Sequence, residues 1–177
     1  MIKYEVQDRH ARPFGRWGLT LPATPTAGPV RLEHGSATLT ETKMGRMFRG
    51  EGVSGCWTAG ISDCVVVAVA EYANGRWEGF WFEHCSGGLY EDFLKQVSTS
   101  GVHGDRCYAL VAARDNIGTD TVGEDLSRRL GIPSNNVSIY VSHADFAFGV
   151  CLSGGTYGGA FGEVTQSGAL MPEDHLW

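Results

Sequence analysis

Two residues near the middle of the chain are of the types that nucleophilic acyl chemistry requires. Cys64 begins an apolar run, and His84 ends the run that follows it. A cysteine attacks as its thiolate, and a nearby imidazole favours this form by lowering the thiol pKa from about 8.5. A further group must hold the imidazole in one orientation. The pair predicts a cysteine nucleophile with a histidine partner, provided that the fold brings the two together.

A predicted β-hairpin supplies that proximity. The runs Cys64 to Tyr72 and Arg76 to His84 flank Asn74-Gly75, a dipeptide typical of tight hairpin turns. Counting back from this turn pairs residue 64 with residue 85, and directly paired residues have Cβ atoms about 4.5–5.5 Å apart. Each residue alone also has a structural interpretation, since a cysteine in an apolar strand packs as a small hydrophobe. Their joint position at the mouth of one hairpin favours chemistry.

The other candidate residues give weaker support for a functional site. His143 and Asp145 form a possible acid–base or metal-binding pair, but residues two apart in a turn are usually solvated. Cys85 is predicted to point to the face opposite His84 and to pack in the core. The five cysteines include no C-x-x-C pair, which argues against a zinc ribbon. The sequence therefore predicts no metal site and no cofactor.

The elements around the hairpin are short strands and about two helices. Further strands are predicted at 36–42, 107–113, 137–141 and 146–152, and helices at 89–97 and from a Thr121–Glu124 capping box to Gly131. The glycine-rich stretch 46–62 is predicted to be a loop, and Gly154 to Gly162 a tight hairpin or a series of bulges. The pattern indicates an α+β fold with a mixed, mostly antiparallel, sandwich-like sheet core and about two flanking helices.

Composition limits the class of protein. The chain has 177 residues, which suits a single domain spanning 1–177, with a proline-rich leader over 1–35 that is predicted to be irregular. A net charge of −6 argues against nucleic-acid binding. The apolar runs are too short to span a membrane, and the charged N-terminus does not resemble a Sec signal peptide. With an odd number of cysteines, we expect a cytoplasmic protein or one delivered into a reducing target-cell cytosol.

The stretch Thr58 to Gly88 resembles the cysteine deamidase superfamily, which includes the chemotaxis deamidase CheD, the catalytic domain of cytotoxic necrotizing factor and Burkholderia lethal factor. A threonine six residues before the cysteine, a cysteine followed by a buried strand, and a histidine closing the return strand occur here in that order, as Thr58, Cys64 and His84. The later stretch Ala113 to Val141 is similar to the strand–helix–strand half of the CheD-like fold, more loosely.

The resemblance implies an enzyme that hydrolyses the side-chain carboxamide of a glutamine in a partner protein, such as a bacterial signalling enzyme, effector or toxin. It implies Cys64 as nucleophile, His84 as acid and base, Thr58 as the residue that orients the imidazole, and backbone N–H groups around Asp63 and Cys64 as an oxyanion hole. We expect the His84 imidazolium to depress the pKa of Cys64 to about 6. The resemblance implies no particular target or oligomeric state.

The chain also departs from the family pattern. Its Cys-to-His spacing of 20 residues is longer than in those relatives, and Ser62-Asp63-Cys64 replaces the usual Ser-Gly-Cys. Ser54-Gly55-Cys56 matches that tripeptide better, yet residue 50 is glycine rather than threonine and no apolar strand follows Cys56. Cys64 remains the preferred nucleophile. Transglutamination at the same site, a small-molecule amidase and a non-catalytic interaction module on the same fold are the alternatives.

Overall fold

The structure is a computed structural model. It describes residues 3–7, 31–34, 37–42, 48–50, 55–86, 89–114, 118–143, 146–153, 156–164 and 170–171. The strands in these segments are β1 (Lys3–Gln7), β2 (Arg31–His34), β3 (Ala37–Glu41), β4 (Phe48–Gly50), β5 (Gly55–Ile61), β6 (Val65–Ala73), β7 (Arg76–Cys85), β8 (Cys107–Arg114), β9 (Val137–Ser142), β10 (Phe146–Ser153), β11 (Thr156–Val164) and β12 (Leu170–Met171). The helices are α1 (Leu89–Thr99) and α2 (Thr119–Leu130).

The strands form two six-stranded mixed sheets. The first has the order β1-β9-β8-β6-β7-β4, with parallel pairs only where β9 meets β1 and β8. The second has the order β12-β11-β10-β5-β3-β2, in which the β3–β5 pair is parallel. This arrangement confirms the predicted α+β class with a mixed, mostly antiparallel sheet core and two helices.

Side-chain alternation along β6 divides the interior into two cores. Val65, Val67 and Val69 face one way, and with Phe93 of α1 and Leu126 of α2 they form the core between the first sheet and the helices. The residues between them, such as Val66 and Ala68, face the second sheet and pack with its buried side chains. The molecule therefore has three layers, with the first sheet in the middle.

The central hairpin is the predicted one. Asn74 and Gly75 both have positive φ, 53° and 78°, as a tight two-residue turn requires. Its register differs from the simple count by one residue, because β7 contains a β-bulge. Glu71 pairs with Gly79 and Tyr72 pairs with Trp77, which leaves Glu78 as the extra residue. Residue 85 is therefore opposite Val65 rather than residue 64.

Two predictions about strands are wrong. Residues 46–62 are not a loop throughout, since they contain β4 and the seven-residue strand β5. The glycines of β5 suggested a turn, whereas its strand state depends on distant partners, β10 and β3. The leader is likewise not wholly irregular, because β1 and β2 fall within it and β1 pairs with β9.

The predicted capping box is also wrong. Helix α2 begins at Thr119, with Gly118 in the N-cap position and no side-chain cap, so Thr121 already lies in the first turn. Its end is as predicted, because Gly131 adopts the left-handed conformation at the C-cap. The predicted glycine-rich hairpin is present as β10 and β11, which pair from Ser153 and Thr156 onwards. Asp145, the rest of the leader and the C-terminal tail lie outside the described residues.

Within the described part of the chain, neither helix has the length and apolar character needed to cross a membrane.

Candidate functional site

A hydrogen bond between two buried side chains joins the two sheets. Thr58 Oγ1, on β5 of the second sheet, lies 3.0 Å from His84 Nδ1, on β7 of the first sheet. Thr58 is 1% exposed and His84 is 2% exposed. Because a buried polar group without a partner is costly, this bond fixes the orientation of the imidazole. The structure thus brings together two of the three residues singled out in the sequence, from strands that are not neighbours.

The bulge in β7 determines which face His84 occupies. The shifted register pairs His84 with Val66, whose side chain faces the second sheet. In a regular hairpin without a bulge, Glu78 would pair with Glu71, and His84 would pair with Val65, whose side chain faces the helices. The Glu78 side chain is held at the hairpin end, where its Oε1 accepts hydrogen bonds from Asn74 Nδ2 at 2.9 Å and Arg76 Nε at 3.4 Å.

Cys64 lies on the same side of the sheet as His84. It directly precedes β6, two residues before Val66, and its side chain packs against the core between the sheets. With His84 opposite Val66, Cys64 occupies the diagonal position across the hairpin, where Cβ atoms are within about 8 Å. A second bulge shapes the approach to it, since two β5 residues, Ala59 and Gly60, lie opposite one residue of β10.

Cys64 is reachable from solvent at the point where the chain crosses between the sheets. Residues 62–64 link the end of β5 to the start of β6, with Asp63 exposed and Cys64 half-buried. Partial burial, followed by the neighbouring Asp63 carboxylate, raises the pKa of the Cys64 thiol above its usual value. In the resting protein Cys64 is therefore a protonated thiol at neutral pH.

Burial lowers the pKa of His84 to about 4, so its imidazole is neutral at pH 7. The expectation of an imidazolium that depresses the pKa of Cys64 is therefore wrong for the resting state. Nε2 of His84 is buried, and within the described residues it neither donates nor accepts a hydrogen bond. It therefore makes none with Cys64. In the tautomer whose Nδ1–H donates to Thr58 Oγ1, Nε2 of the neutral ring is the nitrogen able to take a proton.

The other cysteines with described side chains do not suit a nucleophile. Cys56, the alternative candidate, is fully buried in β5 and its Sγ lies 2.6 Å from Thr42 Oγ1. Cys85 and Cys107 are buried in the core against the helices, and burial is the main cause that raises the pKa of each thiol, to about 12 for Cys107. Cys64 alone among these four combines access to solvent with a position beside His84.

Two further polar residues lie at the same end of the first sheet. The sequence alone does not single out Arg114 or Ser142, because each is only the last residue of its strand. They pair with each other across β8 and β9, and Arg114 lies on the face that carries Ala112, which points toward the second sheet. Ser142 is 2% exposed, whereas Arg114 is half-buried. No local pattern in the sequence indicates the position of Arg114, because it follows from the antiparallel pairing of β8 with β6, which puts the end of β8 beside Cys64.

Glu83 is the ionisable neighbour of His84 on the opposite face of β7. It is 3% exposed and pairs with Val67, which faces the helices. Burial, with a smaller contribution from the Asp92 carboxylate, raises the pKa of Glu83 to about 7. The sheet therefore separates this carboxyl from the site.

His143, the remaining candidate, is exposed at the end of β9, and its proposed partner Asp145 lies outside the described residues. Across the segments that the structure describes, no three His, Cys, Asp or Glu side chains are grouped to hold a metal ion. No protein-family model matches this chain, and no curated protein matches it.

Proposed function

We propose that this protein is a cysteine-dependent hydrolase that deamidates glutamine side chains of a partner protein. The Thr58–His84 hydrogen bond is the observation that supports this most strongly. It orients a buried imidazole on the face where the solvent-accessible Cys64 lies, and it involves the threonine that the family resemblance requires. An oriented base beside an accessible thiol is the arrangement that acyl transfer by cysteine uses.

The first step is attack by Cys64 on the carboxamide carbon of glutamine. Because both groups are neutral at rest, His84 Nε2 takes the thiol proton as the S–C bond forms. The π electrons of the carbonyl move onto oxygen, which gives a tetrahedral intermediate. Thr58 Oγ1, accepting the hydrogen bond from Nδ1–H, stabilises the imidazolium that now exists and keeps the Nε2 proton directed at the site.

The second step releases ammonia and then the product. The oxyanion re-forms the C=O bond, the C–N bond breaks, and the departing nitrogen takes the proton from Nε2. His84 is neutral again, so it can remove a proton from water as this attacks the thioester. Cys64 leaves as a thiol, and the net change is glutamine plus water to glutamate plus ammonia. A primary amine in place of water would give transglutamination.

Two features support a protein substrate in a reducing compartment. Cys64 is half-buried and directly follows the exposed Asp63 in the link between β5 and β6, so a side chain presented on another protein can reach it. Cys56, Cys64, Cys85 and Cys107 are all present as thiols, which suits the cytosol of the producing or a target cell.

The test is a search for deamidated glutamines in a cell lysate treated with the purified protein in H₂¹⁸O. Enzymatic hydrolysis adds about three daltons to each modified peptide, since ¹⁸O from water replaces the amide nitrogen. The wild type should modify a small set of glutamines, and Cys64→Ala and His84→Ala should modify none. Cys56→Ala is the matched control and should keep the wild-type pattern.

Several outcomes would contradict the proposal. Equal glutamine labelling by wild type and Cys64→Ala would show that the thiol takes no part. Labelling lost in Cys56→Ala but kept in Cys64→Ala would move the nucleophile to β5. Incorporation of an added fluorescent primary amine in preference to ¹⁸O would identify a transglutaminase. No labelling at all would favour the non-catalytic module or the small-molecule amidase.

A further inference from the structure

Arg114 occupies a position that the proposed mechanism has not used. It is the last residue of β8, whose register with β6 pairs Ala113 with Val65 and Ala112 with Val66. Continuing that register by one residue puts Arg114 opposite Cys64. Ala112 and Val66 both belong to the core between the sheets, so alternation directs Arg114 to the face on which Cys64 lies. Directly opposed residues have Cβ atoms about 4.5–5.5 Å apart.

Cys64 is therefore flanked on two sides within one sheet. β7, which carries His84, is its neighbour on one side, and β8, which carries Arg114, is its neighbour on the other. The Nε atom of Arg114 is enclosed while the residue as a whole remains half-buried. The stem of the side chain thus lies at the end of an interior strand, and a guanidinium on a stem of this length can approach a group bound at the thiol.

A tetrahedral intermediate needs stabilisation at two separate places. The leaving nitrogen must meet the acid, and the oxygen must meet a donor on another side of the same carbon. With His84 on the β7 side, the other neighbour of Cys64 within the sheet is β8, which carries Arg114. A fixed positive charge in this partly enclosed place stabilises an oxyanion more than it stabilises a neutral carbonyl oxygen.

We propose that Arg114 is a catalytic residue that binds the carbonyl oxygen of the substrate and stabilises the oxyanion formed when Cys64 attacks. This inference rests on the proposed function of Cys64. As the S–C bond forms, the electron pair of the C=O π bond moves to oxygen, and the guanidinium donates hydrogen bonds to that oxygen. Arg114 gains and loses no proton. As the C–N bond breaks, the pair returns to re-form C=O, and the hydrogen bonds weaken.

The test compares two reagents that use the same thiol but form different products. Acetyl-capped glutamate-γ-semialdehyde has an aldehyde in place of the carboxamide, and Cys64 adds to it reversibly to give a tetrahedral hemithioacetal. Iodoacetamide alkylates Cys64 by displacing iodide, with no tetrahedral oxygen. The affinity of the aldehyde is measured by how well it protects Cys64 from alkylation, read by mass spectrometry.

We expect Arg114→Gln to weaken aldehyde binding by about 10²–10³-fold, the effect of losing one oxyanion donor. Its alkylation rate without aldehyde should stay within about threefold of wild type, because that reaction creates no oxyanion. Arg114→Lys, which keeps the charge but loses the fork of donors, should lose about tenfold. Arg106→Gln, the same substitution in the exposed turn before β8, is the matched control and should change neither quantity.

Aldehyde affinity unchanged in Arg114→Gln would overturn the inference, as would an aldehyde that fails to protect Cys64 in the wild type. If Arg114→Gln does not fold, as judged by circular dichroism, Arg114→Lys decides alone, and an unchanged affinity there rejects the assignment. Failure of the proposed function would give a different result from failure of this inference. The wild-type protein would then label no glutamine with ¹⁸O, while its aldehyde binding would still depend on Arg114.

Discussion

The two faces of β7 bury ionisable side chains in opposite ways. His84 faces the second sheet and has a hydrogen-bonded partner in Thr58, whereas Glu83 faces the helices and its Oε2 has no hydrogen-bond partner within the described residues. Burial keeps both neutral near pH 6, because it lowers the pKa of His84 to about 4 and raises that of Glu83 to about 7. Burial alone therefore does not distinguish the two residues.

The two faces of β7 differ in the side chains that lie beside the buried ionisable group. The face of His84 ends in Cys64 and Arg114, at a point where the chain crosses between the sheets and solvent can enter. The face of Glu83 is closed by α1, which brings Asp92 toward it. A perturbed pKa marks a candidate for function only when an accessible partner is present, and on this criterion we assign the chemistry to the face of His84.

The largest expected effect comes from removing one thiol from each face. Cys64→Ala should reduce glutamine turnover by at least about 10³-fold, since the nucleophile is lost. Cys85→Ala, on the helix face, should keep turnover and lower the free energy of unfolding by about 1–2 kcal/mol through the small cavity it leaves. Steady-state ammonia release and urea unfolding measure the two quantities. Full activity in Cys64→Ala would contradict the assignment of the chemistry to the face of His84.

Inserting one alanine between Phe82 and Glu83 should exchange the faces. With the pairs from the turn to Ala68–Phe82 kept, the new residue lies opposite Val67, so His84 moves opposite Val65 and faces the helices, while Glu83 faces the second sheet. Turnover should then fall about as far as in His84→Ala, roughly 10²–10³-fold.

Deleting Glu78 is the control for this insertion. The pairs Tyr72–Trp77 and Glu71–Gly79 become consecutive and His84 stays opposite Val66, so activity should stay within about threefold of wild type. If the insertion variant folds and stays active, the register of β7 does not set the position of His84.

The hairpin could be predicted because its turn chemistry is local. Asn74-Gly75 favours a tight turn whatever its surroundings, and Gly131 likewise favours the left-handed conformation that ends α2. The bulge could not be predicted, because no local pattern marks Glu78 as the extra residue; it is seen only in the pairing of Glu71 with Gly79 and of Tyr72 with Trp77 in the folded sheet. Counting from the turn therefore gave a register that was wrong by one residue.

The site was only partly predictable for the same reason. Spacing and family resemblance single out Thr58, Cys64 and His84, but the sequence predicts a loop where the strand that carries Thr58 lies. Its strand state depends on pairing with β10 and β3, which are far away in sequence. Arg114 could not be predicted from the sequence. Its position opposite Cys64 follows from the β6–β8 register, which no local pattern indicates.

A smaller effect is expected from the partner of the imidazole. Thr58→Val removes the hydroxyl at nearly constant volume, which leaves Nδ1 of a buried ring without its hydrogen bond. Turnover should fall about 10- to 100-fold, equivalent to roughly 1.4–2.7 kcal/mol, while iodoacetamide still labels Cys64. Thr58→Ser should recover most of the activity, because it restores the oxygen. A serine variant as poor as the valine variant would mean that Thr58 acts through packing.

The smallest effect is a difference in the pH dependence of stability. His84, with its lowered pKa, contributes stability that is complete above about pH 6.5 and is lost as pH falls toward 4. Glu83, with its raised pKa, contributes stability that is present below about pH 4.5 and is lost as pH rises through 7. The two contributions oppose each other over the same range, so the wild type should depend only weakly on pH there.

Glu83→Gln removes only the pH-dependent contribution of Glu83 to stability. Its Tm should exceed that of the wild type increasingly as pH rises from 4.5 to 8, by about 2–8 °C at the upper end, the shift that roughly 1–2 kcal/mol produces in a domain of this size. Thermal unfolding followed by circular dichroism measures it. Glu78→Gln, at the half-buried bulge residue, is the control: the hydrogen bond from Asn74 lowers the pKa of Glu78, so this substitution should not raise the Tm as pH rises. A Tm difference that is constant with pH would mean that Glu83 is ionised in the fold.

The turn at Asn74-Gly75 also divides the candidate site between two pieces of chain. Asn74 and Gly75 are exposed, at the end of the hairpin away from Cys64. A break between them leaves Thr58 and Cys64 on the N-terminal fragment, and His84 and Arg114 on the C-terminal one. Neither fragment then holds both the proposed nucleophile and the proposed base, and the two share the long β6–β7 and β6–β8 interfaces through which to reassociate. Under the proposed function, the protein cut at this turn would be a complementation pair whose deamidase activity reports that its two fragments have reassociated.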